Sequence, residues 1–263
     1  MLSRTGGQWL GRVISSHRLC NRLLHSTQLV LSVQEESSCI SGSFTSDDEK
    51  FDYAQQLIAT HHDAHQASQI IKCFATPPTI QRAMALVALM HENDIPLSNT
   101  STTSKFTKVY FRAHVHDIPS AFTWYFNHHQ ALLSSSQVFP LENTLIHLVT
   151  QGFPNAAVQI LFLSIDSLGS QVPTQAIDAL VRELIRFEQF NSILSMHTSK
   201  HKQVLLENEY FVVAVMESFV QLSKYQEAIA FHHTLEKIPS RKRYNDLYVL
   251  ATKKYQKRTL GKQ

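Results

Sequence analysis

Histidine is the residue type with the most chemical potential in this chain, which contains 15 histidines among 263 residues. An imidazole can bind a metal ion or transfer a proton near neutral pH. Two pairs are spaced four residues apart, His61 with His65 and His197 with His201, so each pair could face one side of a helix. Neither pair has the glutamate that follows the first histidine of a zinc-protease motif, and the His-Glu step at His91 lacks the second histidine. We therefore interpret the histidines as surface residues and predict no metal site.

Other arrangements that support catalysis are not recognisable in the sequence. The partners of a Ser/His/Asp or Cys/His set converge only in space, so the sequence nominates none. The three cysteines form no CxxC pair, and Cys73 is expected to be a small buried residue. Between positions 50 and 258 the only glycines are Gly152 and Gly169, and no GxGxxG, GxxxxGK or GxSxG motif occurs. The sequence predicts neither an enzyme nor a bound cofactor.

Charge divides the chain into three blocks. Residues 1–28 have a net charge of +4, residues 29–236 of −9 and residues 237–263 of +8. The first block is rich in arginine and serine, has no acidic residue and lacks a continuous apolar core, a composition typical of a mitochondrial transit peptide. Arg22 places the expected cleavage near Leu24. A basic disordered arm that binds nucleic acid is the alternative interpretation.

This division predicts the domain organisation. Residues 1–28 are expected to be the transit peptide, residues 29–50 a polar linker, residues 51–258 a helical-repeat domain and residues 259–263 a tail. No apolar run approaches the roughly 20 residues that a transmembrane helix needs, so no transmembrane segment is predicted. The expected location is the mitochondrial matrix.

Apolar residues beyond position 50 recur at the spacing of an α-helix. One such stripe consists of Ile80, Ala83, Met84, Val87 and Met90. No stretch alternates strictly between apolar and polar residues, and prolines separate the stripes. Pro119 and Pro154 each open a stripe, a position where a helix tolerates proline. The pattern predicts an all-α domain of about ten to twelve helices.

The predicted helices recur at a nearly constant period. Small or apolar residues in the first turn of every second helix are separated by 38, 36, 36 and 35 positions. These marker residues are Ala83, Ala121, Ala157, Ile193 and Ala228. Stacked helix pairs bury apolar faces that one pair cannot bury alone, so the period indicates an α-solenoid. An irregular all-α domain is the alternative.

Several stretches resemble the pentatricopeptide repeat family. Residues 82–96 (RAMALVALMHENDIP) are similar to its second helix and exit turn, and residues 222–231 (LSKYQEAIAF) to its turn into a second helix. Residues 243–247 (RYNDL) resemble the opening of a first helix. The resemblance covers residues 60–258, which corresponds to about five repeats. Gly152 alone matches the family's inter-helix glycine, and His116, Glu188 and Ser223 stand in the other repeats. The repeats are therefore divergent, and tetratricopeptide-like repeats are the alternative.

The resemblance implies RNA binding, with bases read chiefly by a side chain early in the first helix of each repeat. Counting back 14 positions from the marker residues gives Gln69, Thr107, Asn143, Ala179 and Ala214. The first three can form a hydrogen bond with a base edge, and the two alanines cannot. A strict base-by-base code is therefore not expected beyond the third repeat. The acidic middle block also opposes nonspecific phosphate binding.

The C-terminal block, with its basic cap at residues 237–258, is the strongest candidate for nucleic-acid contacts. Cations supply phosphate contacts and tyrosines offer stacking faces. The candidate RNA-binding residues here are Arg241, Lys242, Arg243, Tyr244, Lys253 and Lys254. A solvated capping helix is a compatible alternative, with Leu247, Leu250 and Ala251 facing inward. Docking on ribosomal RNA is a third interpretation.

These observations predict an RNA-binding helical-repeat protein that acts in mitochondrial transcript processing, stability or translation. The expected partners are mitochondrial messenger or ribosomal RNA and the mitochondrial ribosome. Two alternatives are open: a structural subunit of that ribosome, and a tetratricopeptide-like protein–protein adaptor in mitochondrial assembly. The acidic body favours the adaptor, whereas the basic C-terminal block favours RNA.

Overall fold

A computed structural model of the chain describes residues 44, 46–60, 63–97, 99–128, 132 and 139–260. Within these residues lie 13 α-helices and one short 3-10 helix, with no β-strand. The all-α prediction is confirmed. The predicted transit peptide, most of the predicted linker, His61 and residues 261–263 lie outside the described residues.

The helices are numbered in chain order. They are α1 (Asp47–Thr60), α2 (Ala64–Phe74), α3 (Ile80–Glu92), α4 (Thr100–Ala113), α5 (Ile118–Asn127), α6 (Leu141–Thr150), α7 (Pro154–Leu168), α8 (Thr174–Arg186), α9 (Phe190–His197), α10 (Lys202–Leu206), α11 (Glu209–Gln221), α12 (Tyr225–Thr234) and α13 (Lys242–Leu260). The 3-10 helix, Gly169–Gln171, follows α7. Internal contacts divide the chain into two units, Met1–Asp52 and Tyr53–Gln263. The first includes the opening of α1, and α2–α13 belong to the second.

Local sequence accounts for where several helices begin. A side-chain oxygen accepts a hydrogen bond from a first-turn backbone N–H in α2, α4, α5 and α11. The capping residues are Asp63, Asn99, Asp117 and Asn208. These caps satisfy N–H groups that have no partner within the helix. Pro119 and Pro154 lie in the first turns of α5 and α7, as their positions in the sequence predict.

Helices of the second unit pack against helices that are near them along the chain, either adjacent or separated by one or two helices. In a first series, α2 packs on α4, α4 on α6, α6 on α8, α8 on α11 and α11 on α13. In a second series, α3, α5, α7, α9 and α12 each pack on the first-series helix that precedes them. Each helix has an apolar stripe to bury, and these neighbours cover it. No helix in the described ranges is both long and apolar enough to cross a bilayer.

Three turns between a first-series helix and its partner share one backbone geometry. Gly152, Glu188 and Ser223 have φ angles of +88°, +58° and +60°. In each turn the N–H of this residue donates to the carbonyl three positions back, and the next N–H donates to the carbonyl five positions back, at 2.8–3.0 Å. This is the Schellman motif, which satisfies the last carbonyls of a helix. The three residues stand at the spacing that the last two steps of the repeat period predict.

The turn after α4 departs from this geometry. Here α4 ends at Ala113, and His114 is its C-cap with a φ of −111°. The His114 Nδ1 lies 2.8 Å from the carbonyl oxygen of Tyr110, one turn earlier in α4. His116, which stands at the repeat position in the sequence, does not have a positive φ.

Candidate nucleic-acid interface

The interface predicted in the C-terminal block is built on α13. This helix packs against α11 and α12, and its buried residues are Tyr244 and Ala251. Leu247 is half-buried, as expected for the inner face. Leu250 was predicted to face inward, but it is 41% exposed. It lies about 100° around the helix from Ala251, outside the stripe that α11 and α12 cover.

Three lysines form what we call the lysine face: Lys242, Lys253 and Lys257, all exposed. At about 100° per residue they lie opposite the buried stripe, and they extend about 22 Å along the helix axis. Lys254 is also exposed, on the flank of this face. Asp246 lies on the same side and is the one acid in the sequence of α13. Ammonium groups on a rigid helix can contact successive phosphates of one strand.

The two arginines predicted to bind phosphate form ion pairs with acidic residues of α11. Arg243 Nη2 donates to Glu217 Oε1, and the Glu217 side chain is only 8% exposed. Arg241 Nε lies 3.8 Å from Glu209 Oε2, and its guanidinium carbon is 5.3 Å from the centre of the Tyr210 ring. Both contacts link α11 to the segment that begins α13, while the side chains of Arg241 and Arg243 stay 48% and 61% exposed.

Tyr244 was predicted to offer a stacking face, and the structure places it in the core. The residue is fully buried. Its hydroxyl lies 3.0 Å from Nδ1 of His232. Burial raises the pKa of Tyr244 to about 12. A nucleobase cannot reach this ring without displacing α13.

The candidate base-reading residues differ in exposure. Gln69 is half-buried on α2, and Asn143 is exposed in the first turn of α6. Thr107 is fully buried on α4; its hydroxyl donates to the carbonyl of Thr103 at 2.7 Å and lies 2.9 Å from the hydroxyl of Tyr125. This placement makes Thr107 part of the α4–α5 packing rather than of a surface.

The residues found by counting back 14 positions from each marker do not occupy the same position in their helices. The counted residue is the third of α6, the sixth of α2, α8 and α11, and the eighth of α4. Ala179 and Ala214, which the count assigns to α8 and α11, are both buried. The helices of the first series differ in length, so equal steps along the sequence reach different turns. The structure does not bring the counted residues together on one exposed surface.

Several histidines are more buried than the sequence suggested. His201 is 6% exposed and its ring packs against Phe162. The ring of His197 lies 4.9 Å from that of Phe231. Burial lowers the pKa of His197, and that of His147 on α6, to about 4. The surface interpretation is therefore wrong for His201, whereas His147 and His197 are half-buried. The described residues contain no group of three or more histidine, cysteine, aspartate or glutamate side chains that could hold a metal ion.

Lys257 is part of the lysine face although it was not among the predicted site residues. It stands four positions after Lys253 and 15 after Lys242, spacings that bring all three to one side of a helix. Helical periodicity within residues 242–260 could therefore have separated the lysine face from the paired arginines. The pairing with Glu217 joins positions 26 residues apart, which periodicity does not reveal.

No family model matches the chain, and neither a curated protein nor a solved structure matches it.

Proposed function

We propose that this protein is an RNA-binding helical-repeat protein of mitochondrial gene expression, acting in transcript processing, stability or translation. The observation that carries the proposal is the lysine face of α13, where three exposed lysines stand opposite the buried stripe of the helix. The arginine-rich, acid-free composition of residues 1–28 supports the mitochondrial matrix as the location.

The proposed scaffold is a divergent solenoid of pentatricopeptide-like repeats. Its support is the agreement between a regularity of the sequence and a regularity of the backbone. One is the 36- and 35-residue spacing of the marker residues, and the other is the recurrence of the Schellman geometry at Gly152, Glu188 and Ser223. Consecutive first-series contacts also suit stacked helix pairs.

The proposed mode of recognition is chiefly contact with phosphates rather than a base read by every repeat. Thr107, Ala179 and Ala214 are buried, so three of the five counted positions offer no side chain to a base. Phosphate contacts need only exposed cations, and α13 provides them. Gln69 and Asn143 are available for local contacts with bases.

The decisive experiment measures RNA affinity as a function of salt. The full chain is titrated with a labelled single-stranded RNA, and the slope of log K against log salt is compared with that of the triple variant Lys242→Gln, Lys253→Gln and Lys257→Gln. Log K falls as log salt rises, and each lost phosphate contact reduces the magnitude of this negative slope by about 0.7. The triple variant should therefore reduce the magnitude by about 2. Asp246→Asn should tighten binding, because it removes the acid from the lysine face.

A control variant removes three half-buried lysines on other helices: Lys72 on α2, Lys108 on α4 and Lys202 on α10. Its salt slope should stay close to that of the unchanged chain. Equal losses in the two triple variants would show that binding is not centred on α13. In intact mitochondria, ultraviolet crosslinking of a tagged chain should recover RNA above an untagged control, and no recovery would overturn the proposal.

A structural subunit of the mitochondrial ribosome is the second candidate. Val249 is 48% exposed and Leu260 is 70% exposed, and both lie on the same side of α13 as the lysine face. A surface that mixes cations with apolar side chains suits a position between RNA and protein. Co-sedimentation with a ribosomal subunit in high salt, with crosslinks at one ribosomal RNA locus, would favour this candidate.

A further inference from the structure

A shallow pocket lies where the start of α12 meets the end of α13. Its volume is about 370 Å³, and its lining includes Tyr225, Gln226, Tyr255, Arg258 and Thr259. Both tyrosines are half-buried, whereas Gln226, Arg258 and Thr259 are exposed. The pocket thus combines aromatic surface with a cation and with side chains that can form hydrogen bonds.

Arg258 is held in place by the turn before α12. Its Nη1 donates to the carbonyl oxygen of Ser223 at 3.1 Å. Its guanidinium carbon lies 4.6 Å from the centre of the Tyr225 ring, the distance of a cation–π contact. Ser223 is the residue whose positive φ closes this turn. The turn therefore positions a flat cation at the edge of the pocket.

The surroundings of the pocket are mainly cationic. Lys224 is exposed at the N-cap of α12, and Lys254 stands one helical turn before Arg258. Lys257 of the lysine face is adjacent to Arg258 in the chain. Glu227 is the acid in the lining. On α13 the pocket side chains Tyr255, Arg258 and Thr259 lie on the side of the buried stripe, about half a turn from the lysine face, and Lys254 lies between the two sides. A single strand that continues from the lysine face past Lys254 reaches the pocket around the C-terminal end of α13.

We propose that the pocket binds one nucleobase of the single-stranded RNA whose phosphates contact the lysine face. This inference rests on the proposed function and adds a base-binding site to it. The ring of Tyr255 and the plane of Arg258, which itself lies over the Tyr225 ring, offer stacking surface, which accepts any base because every base has a π-face. Gln226 and Thr259 can form hydrogen bonds with its edge. The site lies at the junction of α12 and α13. It is therefore separate from the positions early in the first-series helices that were predicted to read bases.

The test compares an intact RNA oligonucleotide with one of the same phosphate count that lacks its bases. Both are titrated with the full chain and with the variant Tyr255→Leu, which removes the ring and keeps apolar contact. We expect the variant to bind intact RNA roughly 5-fold or more weakly, the effect of losing one stacked base. Its affinity for the abasic strand should not change. Tyr255→Phe keeps the ring and should bind intact RNA normally.

Tyr248→Leu is the matched control, because Tyr248 is the α13 tyrosine two turns earlier and stacks on His232 at 3.9 Å between ring centres. It should leave the preference for the intact strand unchanged. Circular dichroism establishes that each variant is folded. If Tyr255→Leu does not fold, photocrosslinking of thiouridine-containing RNA to the unchanged chain replaces it, with attachment expected at Tyr225 or Tyr255.

Two results would overturn the base site while leaving the proposed function standing. They are equal affinity of the unchanged chain for intact and abasic strands, and crosslinks on α13 that avoid both pocket tyrosines. Failure to bind either strand at low salt would contradict the proposed function itself.

Discussion

At the scale of single residues, the positive φ angles at Gly152 and Ser223 predict that substitutions at these two equivalent turn positions change stability in opposite directions. A Cβ added at Gly152 would meet no atom within 4 Å, so the cost of Gly152→Ala is conformational. We expect this change to lower the free energy of unfolding by about 1 kcal/mol, because an L-residue is disfavoured at positive φ. Ser223→Gly should raise it by a similar amount for the same reason. Urea unfolding measures both, and a stabilising Gly152→Ala would contradict the turn geometry.

Single residues also define how far the sequence could predict the interface. Helical spacing places Ala251 on the inner face, where it is fully buried, but the same face was assigned to Leu250, which is 41% exposed. The same spacing also places Tyr244 inward, because it stands seven residues before Ala251 on one side of the helix, and this conflicts with its predicted stacking role. Thr107, by contrast, looks polar in sequence. In the core its hydroxyl is satisfied by Thr103 and Tyr125, which removes the cost of burying it.

At the scale of elements, the contact between α11 and α13 depends on the pair formed by Arg243 and the nearly buried Glu217. Glu217 Oε2 is buried without a hydrogen-bond partner among the described residues, so removal of the arginine would leave the whole carboxylate uncompensated. We expect Arg243→Ala to lower the free energy of unfolding by roughly 2 kcal/mol. This value is below that for a fully buried pair because the Arg243 side chain is largely exposed to solvent.

A double-mutant cycle isolates this pair from the general effect of truncating the arginine. Glu217→Leu should restore most of the stability lost in Arg243→Ala, because it replaces a buried charge with an apolar side chain. If the two changes were simply additive in urea unfolding, the pair would not stabilise the contact. At a matched folded fraction, Arg243→Ala should change RNA affinity less than a lysine-face variant does.

Helix boundaries illustrate why the repeat pattern alone does not give the candidate site. The three Schellman turns fall where the repeat positions predict them, since the end of each helix is fixed by local backbone geometry. The starts are fixed by other residues, such as Asn99 before α4 and Asn208 before α11. First-series helices therefore differ in length, from 10 residues in α6 to 14 in α4 and 19 in α13. Equal steps in sequence consequently select unequal positions in space.

At the scale of the whole molecule, two half-buried histidines predict loss of stability in acid. Burial lowers the pKa of His147 and His197 from 6.5 to about 4, and nearby lysines or arginines contribute to each shift. Between about pH 6.5 and 4 the unfolded chain binds more protons at these sites than the folded chain does. The free energy of unfolding should therefore fall as the pH falls through this window.

Urea midpoints measured at several pH values between 7.5 and 4.5 check this expectation. The double variant His147→Gln and His197→Gln should flatten the dependence, whereas His233→Gln should not, because His233 is exposed. A dependence that is unchanged in the double variant would assign the acid sensitivity to other groups.

The packing of each first-series helix on the next has a consequence for how the chain reaches this structure. Contacts between helices that are near in sequence give a low contact order, and chains of this kind fold quickly because few long loops must close. A helix such as α4 or α6 can be covered once the next first-series helix is complete, without waiting for the C-terminus. Such a chain is suited to folding vectorially, from its first-formed helices onward, and α13 completes the process by covering α11.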